Sequence, residues 1–143
     1  MLALLALAAA SCGGPDTIAA NAVAPDLNLM ASTEGDWSGL AGALNRTPAE
    51  SGLLRGSDIS VDLNALLGRD QEAFRLALGN ATPLAREGDL LVTVGRSGNA
   101  YLLIDPADHA LEAGLKRAGN WQQYRTPGSD IARPSSVEQL RAR

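Results

Sequence analysis

Five strand-like runs, "LARE", "LLVTVG", "AYLLID", "ALEAGLK" and "WQQYR", follow one another between Leu84 and Arg125, separated only by "GD", "RSGN", "PADH" and "RAGN". The separators are turn clusters of Gly, Asn, Asp and Pro, at roughly the 8–12-residue spacing of a strand meander. A parallel pair needs a crossover of about a dozen residues or more, so links this short leave only antiparallel neighbours. Leu111, Ala113 and Leu115 alternate with Glu112, Gly114 and Lys116, which predicts one buried and one wet face for that strand. Leu90, Val92 and Val94 are expected beside Ala100, Leu102 and Ile104 on a helix-facing side.

The stretch before the meander has helical punctuation. Asp36 can cap a helix carrying Trp37, Leu40, Ala41 and Leu44 on one face, although Gly39 and Gly42 weaken it by about 1 kcal/mol each relative to Ala. Thr47-Pro48-Ala49-Glu50 is a capping box with Pro at the first helical position and opens a short helical turn through Leu53 and Leu54. Ser60–Leu67 and Asp70–Leu78 are two amphipathic helices, each followed by a glycine able to end it in the left-handed conformation. Ser135 with Glu138 three residues on predicts a last short helix burying Val137 and Leu140. The expected fold class is α+β, short helices packed on one face of a roughly five-stranded antiparallel meander.

A chain of 143 residues suits one folded domain. Aromatic residues are only 3% of it, namely Trp37, Phe74, Tyr101, Trp121 and Tyr124, so the core must be aliphatic. The net charge of −4 is uneven: residues 1–95 hold 5 Arg against 11 Asp and Glu, whereas residues 96–143 hold 7 cations against 5 acids. Neither half forms the strongly basic stripe that nucleic acid requires, and no nucleic-acid partner is expected. The acidic first half could attract a basic protein or be an ordinary solvated surface.

Met1–Ala10 is uncharged and almost entirely Leu and Ala. It is about half the roughly 20 residues that span a bilayer, but it has the length of a signal-peptide apolar region. Ala9-Ala10-Ser11-Cys12 resembles the bacterial lipobox, with Ala9 where Leu is usual. The resemblance implies cleavage before Cys12 and acylation of Cys12, which is the sole cysteine. Several acyl chains anchor stably, since each buried methylene contributes about 0.8 kcal/mol. The expected organisation is a signal peptide over 1–11, a lipid-anchored tether over 12–35 and a single α+β domain over 36–143, held at the envelope and facing the periplasm, with outer-membrane anchoring expected.

The order of "LNALLGRDQEAFRLAL", "PLAREGDLLVTVG" and "AYLLIDPADHALEAGL" resembles the bacterial inhibitor of vertebrate lysozyme family. The resemblance spans about Leu63–Leu115 and implies helices followed by a twisted antiparallel sheet in a periplasmic protein. It also implies an inhibitory loop, which in that family carries a disulfide-closed Cys-x-Pro-His-x-Cys-type sequence and puts a His into the lysozyme cleft. Between Gly95 and Ala100 this chain has only Arg96, Ser97, Gly98 and Asn99. Those four residues are the candidate binding loop, and their chemistry predicts a tight hairpin with positive φ at Gly98 or Asn99.

Trp121, Tyr124 and Arg125 form a second candidate interface, because these residue types are enriched at binding hot spots. Their alternative is edge-strand packing, with Trp121 covering the sheet. Asp105, Asp108 and the only histidine, His109, could suggest a metal, but "DPADH" is also an ordinary turn, and no metal or other cofactor is expected. Ser97, Ser129, Ser135 and Ser136 lack a nucleophile elbow, and the pairs Asp58/Asp62 and Asp70/Glu72 sit where helix starts favour acids. No catalytic residue is expected. The residues therefore favour a non-catalytic envelope lipoprotein that binds a protein partner or acts as an inhibitor-like module. A structural envelope lipoprotein and an uncharacterised hydrolase are the alternatives.

Overall fold

The computed structural model describes residues 37–143. The expected signal peptide, the tether with Cys12, and the cap Asp36 lie outside the described residues. Among the described residues no helix is long and apolar enough to cross a membrane.

The chain enters through a 3₁₀ turn, Trp37–Ala43, where an α-helix was expected. A repeat of three residues per turn aligns Trp37, Leu40 and Ala43, and these are the buried positions, while Ala41 is exposed and Leu44 half-buried. The two glycines make the α alternative weak. Helix α1, Pro48–Ser51, has the expected reciprocal capping box: the Glu50 amide donates to Thr47 Oγ1 at 3.3 Å, and the Thr47 amide donates to Glu50 Oε2 at 2.9 Å. It ends at Gly52 in the left-handed conformation, and Leu53 and Leu54 are buried just beyond it.

Helix α2, Asp58–Leu67, starts two residues earlier than expected because Ser57 Oγ caps it, accepting from the Ser60 amide at 3.2 Å. Helix α3, Gln71–Leu78, follows a single 3₁₀ turn over Gly68–Asp70. Gly68 ends α2 with φ +55, whereas Gly79 ends α3 in the right-handed region and makes no use of glycine's freedom. Leu63, Leu67, Phe74 and Leu78 are buried against the sheet.

The sheet is the expected meander: β1 Ala85–Glu87, β2 Leu90–Val94, β3 Ala100–Asp105, β4 Ala110–Arg117 and β5 Asn120–Arg125, antiparallel and in sequence order. Helix α4, Ser135–Arg141, buries Val137 and Leu140 as expected, but Pro134 occupies the cap position and no side chain caps it. Glu138 instead faces Arg133 at 3.9 Å.

Helix α4 lies on the face opposite α2 and α3, so the sheet is covered on both sides. One core joins the first helices to Leu91, Ala100, Leu102, Ile104, Leu111, Ala113 and Leu115. The other gathers Val92, Tyr101, Leu103, Ala110, Ile131, Val137 and Leu140. This corrects two expectations. Leu90, Val92 and Val94 belong to the second face, since Leu91 pairs with Ile104 and Thr93 with Leu102. The second face of β4 is dry: Glu112 and Gly114 are buried, and only Lys116 reaches solvent.

Two covered faces make a direct expectation for stability. Leu102→Ala and Leu103→Ala, on opposite faces and both fully buried, should each cost about 2–5 kcal/mol in urea denaturation. A Leu103 variant within about 0.5 kcal/mol of the parent, the range of ordinary surface substitutions, would mean that the second face is wet.

Candidate functional site

The second face is organised around a carboxylate. Strand β4 places Glu112 and Gly114 on it, with Gly114 opposite Tyr101 and Glu112 opposite Arg125. A Cβ at position 114 would sit 2.0 Å from Tyr101 Cε1, so the ring lies directly over the glycine backbone. That path delivers the phenol hydroxyl to Glu112, where it donates to Oε1 at 2.7 Å. Arg133 Nε donates to the same oxygen at 2.6 Å. Arg125 takes Oε2 with Nε at 2.9 Å and with Nη2 as well.

Burial by itself would raise the Glu112 pKa. The hydrogen bonds from Tyr101, Arg133 and Arg125 outweigh that cost and hold the group below the ordinary carboxylate value. The Tyr101 phenol is pushed up to about 12, first by burial and then by its bond to Glu112. It therefore keeps its proton and donates throughout the physiological range.

This network fixes a surface corner. Arg133 ties down the segment leading into α4, and α4 reaches the β2–β3 turn, where Leu140 Cδ1 lies 3.8 Å from the place a Cβ on Gly98 would take. The turn Arg96–Asn99 is the tight hairpin expected, with Gly98 at φ +79 and its amide donating to Gly95 O at 2.9 Å. The Arg96 amide donates to Asn80 O at 2.8 Å, and Asn99 O accepts from the Lys116 amide at 2.7 Å. Gly95 allows α3 to come close, for a Cβ there would be 2.6 Å from Ala77 O. Arg96, Ser97 and Asn99 are exposed on this pinned turn.

Trp121 belongs to the same end of the second face. It pairs with Lys116 across β4 and β5, its ring lies 5.4 Å from that of Tyr101, and Lys116 Nζ stands 5.8 Å from its centroid. Side-chain alternation separates Trp121 from Tyr124. Tyr124 points to the helical face and donates to Asp70 Oδ2 at 2.5 Å, where Arg117 also pairs at 3.0 Å. The Tyr124 bond is the main reason that Asp70 is held below the usual carboxylate range. Arg125 turns inward to Glu112. The structure thus joins Trp121 to the Arg96–Asn99 turn and divides it from Tyr124.

Of the chemical candidates, His109, Asp105 and Ser129 are engaged locally, whereas the buried Ser136 Oγ has no partner among the described residues. His109 stacks on Trp37 with ring centroids 4.8 Å apart, and the Trp37 indole donates to Asp62 Oδ2 at 2.7 Å. Asp105 Oδ1 accepts from the amides of Ala107 and Asp108 at 3.1 and 3.2 Å, which makes "DPADH" a turn closed by its own aspartate. Ser129 Oγ donates to Thr126 O at 2.6 Å. Ser97 and Ser135 are exposed, and Ser136 is half-buried. Among the described residues no group of three or more His, Cys, Asp and Glu could hold a metal ion.

The Glu112 network escaped sequence reasoning because a Glu between apolar neighbours reads as the wet half of an amphipathic strand. The signal lay in a combination: a strand glycine two residues after the Glu, and an aromatic on the neighbouring strand in register with that glycine.

These observations define the class of fold: an α+β domain whose antiparallel meander is covered on both faces and whose second face is tied together by a buried carboxylate network. Residues 58–143 match the family model described as inhibitor of vertebrate lysozyme. The chain belongs to that family. Neither the curated proteins nor the solved structures compared with it give a match.

Replacing one partner of a buried ion cluster leaves the others uncompensated. Glu112→Gln should cost about 3 kcal/mol at pH 7, toward the lower end for such changes because Arg125 and Arg133 keep some contact with solvent. The folded-state pKa of Glu112 is lowered, so its contribution is full above the ordinary value of 4.5 and is lost as pH falls below it. In urea titrations the gap between parent and variant should therefore narrow at pH 3. A gap that is constant with pH would show that the charge contributes nothing.

Proposed function

We propose that this chain is a non-catalytic, lysozyme-inhibitor-like module of the bacterial envelope, carried on a lipid anchor at Cys12 and recognising a lysozyme-type protein through the corner formed by Arg96–Asn99, Lys116 and Trp121. The observation that carries the reading is family membership across residues 58–143, a span that contains the whole sheet and α4. The corner supports it with an exposed turn on a rigid base and a half-buried Trp beside a cation. The lipobox resemblance at Ala9–Cys12 supports the anchor, with 12–35 as tether and 36–143 as the domain it displays.

The turn also sets how strong the inhibition is. Four residues closed on Gly98 and packed on Leu140 do not project, and they contain no Cys, His or Pro. Calorimetry with a C-type lysozyme should give association weaker than about 1 μM, or −8 kcal/mol, and muramidase assays should show correspondingly weak inhibition. Strong inhibition abolished by Arg96→Ala would show that a guanidinium replaces the imidazole. No heat and no inhibition with any lysozyme type would sink the lysozyme-directed reading.

The anchor is tested separately. Metabolic labelling with a palmitate analogue should mark the parent and not Cys12→Ala, and globomycin should block processing of the parent. Unchanged fractionation and processing of Cys12→Ala would remove the anchor from the proposal.

A further inference from the structure

A second surface is built on the helical side, most of it from residues that precede the family match. The segment Pro48–Arg55 faces the end of α3 across a cavity of about 260 Å3 lined by Pro48, Ala49, Leu54, Arg55, Arg75 and Leu76. Leu76 is 75% exposed, and only one other large apolar side chain, Val61, is exposed among the described residues. An exposed Leu alone is ordinary. Here it borders an apolar recess flanked by two guanidinium groups.

Those cations have capacity to spare. Arg75 Nη2 donates to Asn64 Oδ1 at 2.7 Å, but its buried Nε–H has no partner among the described residues. Glu72 faces both Arg75 and Arg55, at 3.5 and 3.6 Å, from an exposed position where such loose pairs contribute little. Two cations therefore share one anion at the rim.

The volume is below the roughly 300–1,000 Å3 of small-molecule sites and suits a single large apolar side chain. We infer that this recess docks a segment of a partner protein that inserts one large apolar side chain beside Leu76 and sets an Asp or Glu, one or two residues away, against Arg55 and Arg75. Charge complementarity selects the acidic neighbour and disfavours a basic one. The inference stands apart from lysozyme binding, and its test uses no lysozyme.

The probe is a phage-displayed library of random heptapeptides, panned on the full chain and in parallel on Leu76→Asp. At its exposed position this substitution should leave the thermal midpoint within about 2 °C of the parent. Peptides enriched on the parent alone should carry a large apolar residue with an Asp or Glu within two positions. Synthesised and measured by fluorescence anisotropy, the leading peptide should bind Arg55→Glu at least about tenfold more weakly, the 1.4 kcal/mol expected for a rim charge turned repulsive. Equal enrichment on Leu76→Asp, enriched peptides without acidic residues, or affinity indifferent to Arg55→Glu would each overturn the inference.

Discussion

The second half of this molecule depends on one missing methyl group. Because Gly114 has no Cβ, the Tyr101 ring can cross β4 and place its hydroxyl on Glu112. Desolvating a carboxylate costs several kcal/mol, a penalty offset only when every oxygen is matched by donors. Tyr101, Arg125 and Arg133 match both oxygens, and each comes from a different part of the chain. One buried acid thereby joins β3, β5 and the segment before α4. The apolar contacts of Val137 and Leu140 hold α4 on the sheet, and directional bonds to Glu112 fix where the segment preceding it enters. The register of the C-terminal cover is a polar decision made within an apolar layer.

Local chemistry was legible wherever its cause was local. The Thr47–Glu50 box, the glycine at position 98 and the short links between strands act within a few residues, and the structure has each in place. The facing of β2 and β4 was not local. In "LLVTV" both alternating sets are largely apolar, so periodicity cannot decide which side meets the helices. The decision belongs to α4, which closes over Val92 from more than forty residues downstream. The same cover turns Glu112 from a solvent-facing residue into the centre of the network. The 3₁₀ entry turn is a milder case, in which two glycines remove the preference that would have made 37, 40, 41 and 44 a common face.

The candidate site was legible as pieces. Arg96–Asn99 and Trp121 were separate features of the sequence, and the sheet brings them to one end of one face through Lys116, bonded to Asn99 on one side and paired with Trp121 on the other. Tyr124 leaves the group because three residues along a strand reverse the side of the sheet. Sequence proximity therefore overstated that cluster and concealed the pairing of Trp121 with the turn.

The shape of the turn decides what kind of recognition this corner can perform. A loop that enters a cleft must extend beyond its base and keep its form by its own bonds. The Arg96–Asn99 turn lacks the first property: it closes on the bond from the Gly98 amide to Gly95 O and is held from beneath by Asn80 and Lys116. A rigid, low corner loses little conformational entropy on binding, which favours affinity per unit of contact, but it presents no projecting group to a recessed active site. Under the proposed function the partner must therefore meet the corner with a surface of its own, and affinity has to come from packing around Trp121 and the flanking cations. On that proposal, recognition and blockade of a cleft are separable in this chain, because the bonds that close and pin the turn also keep it short.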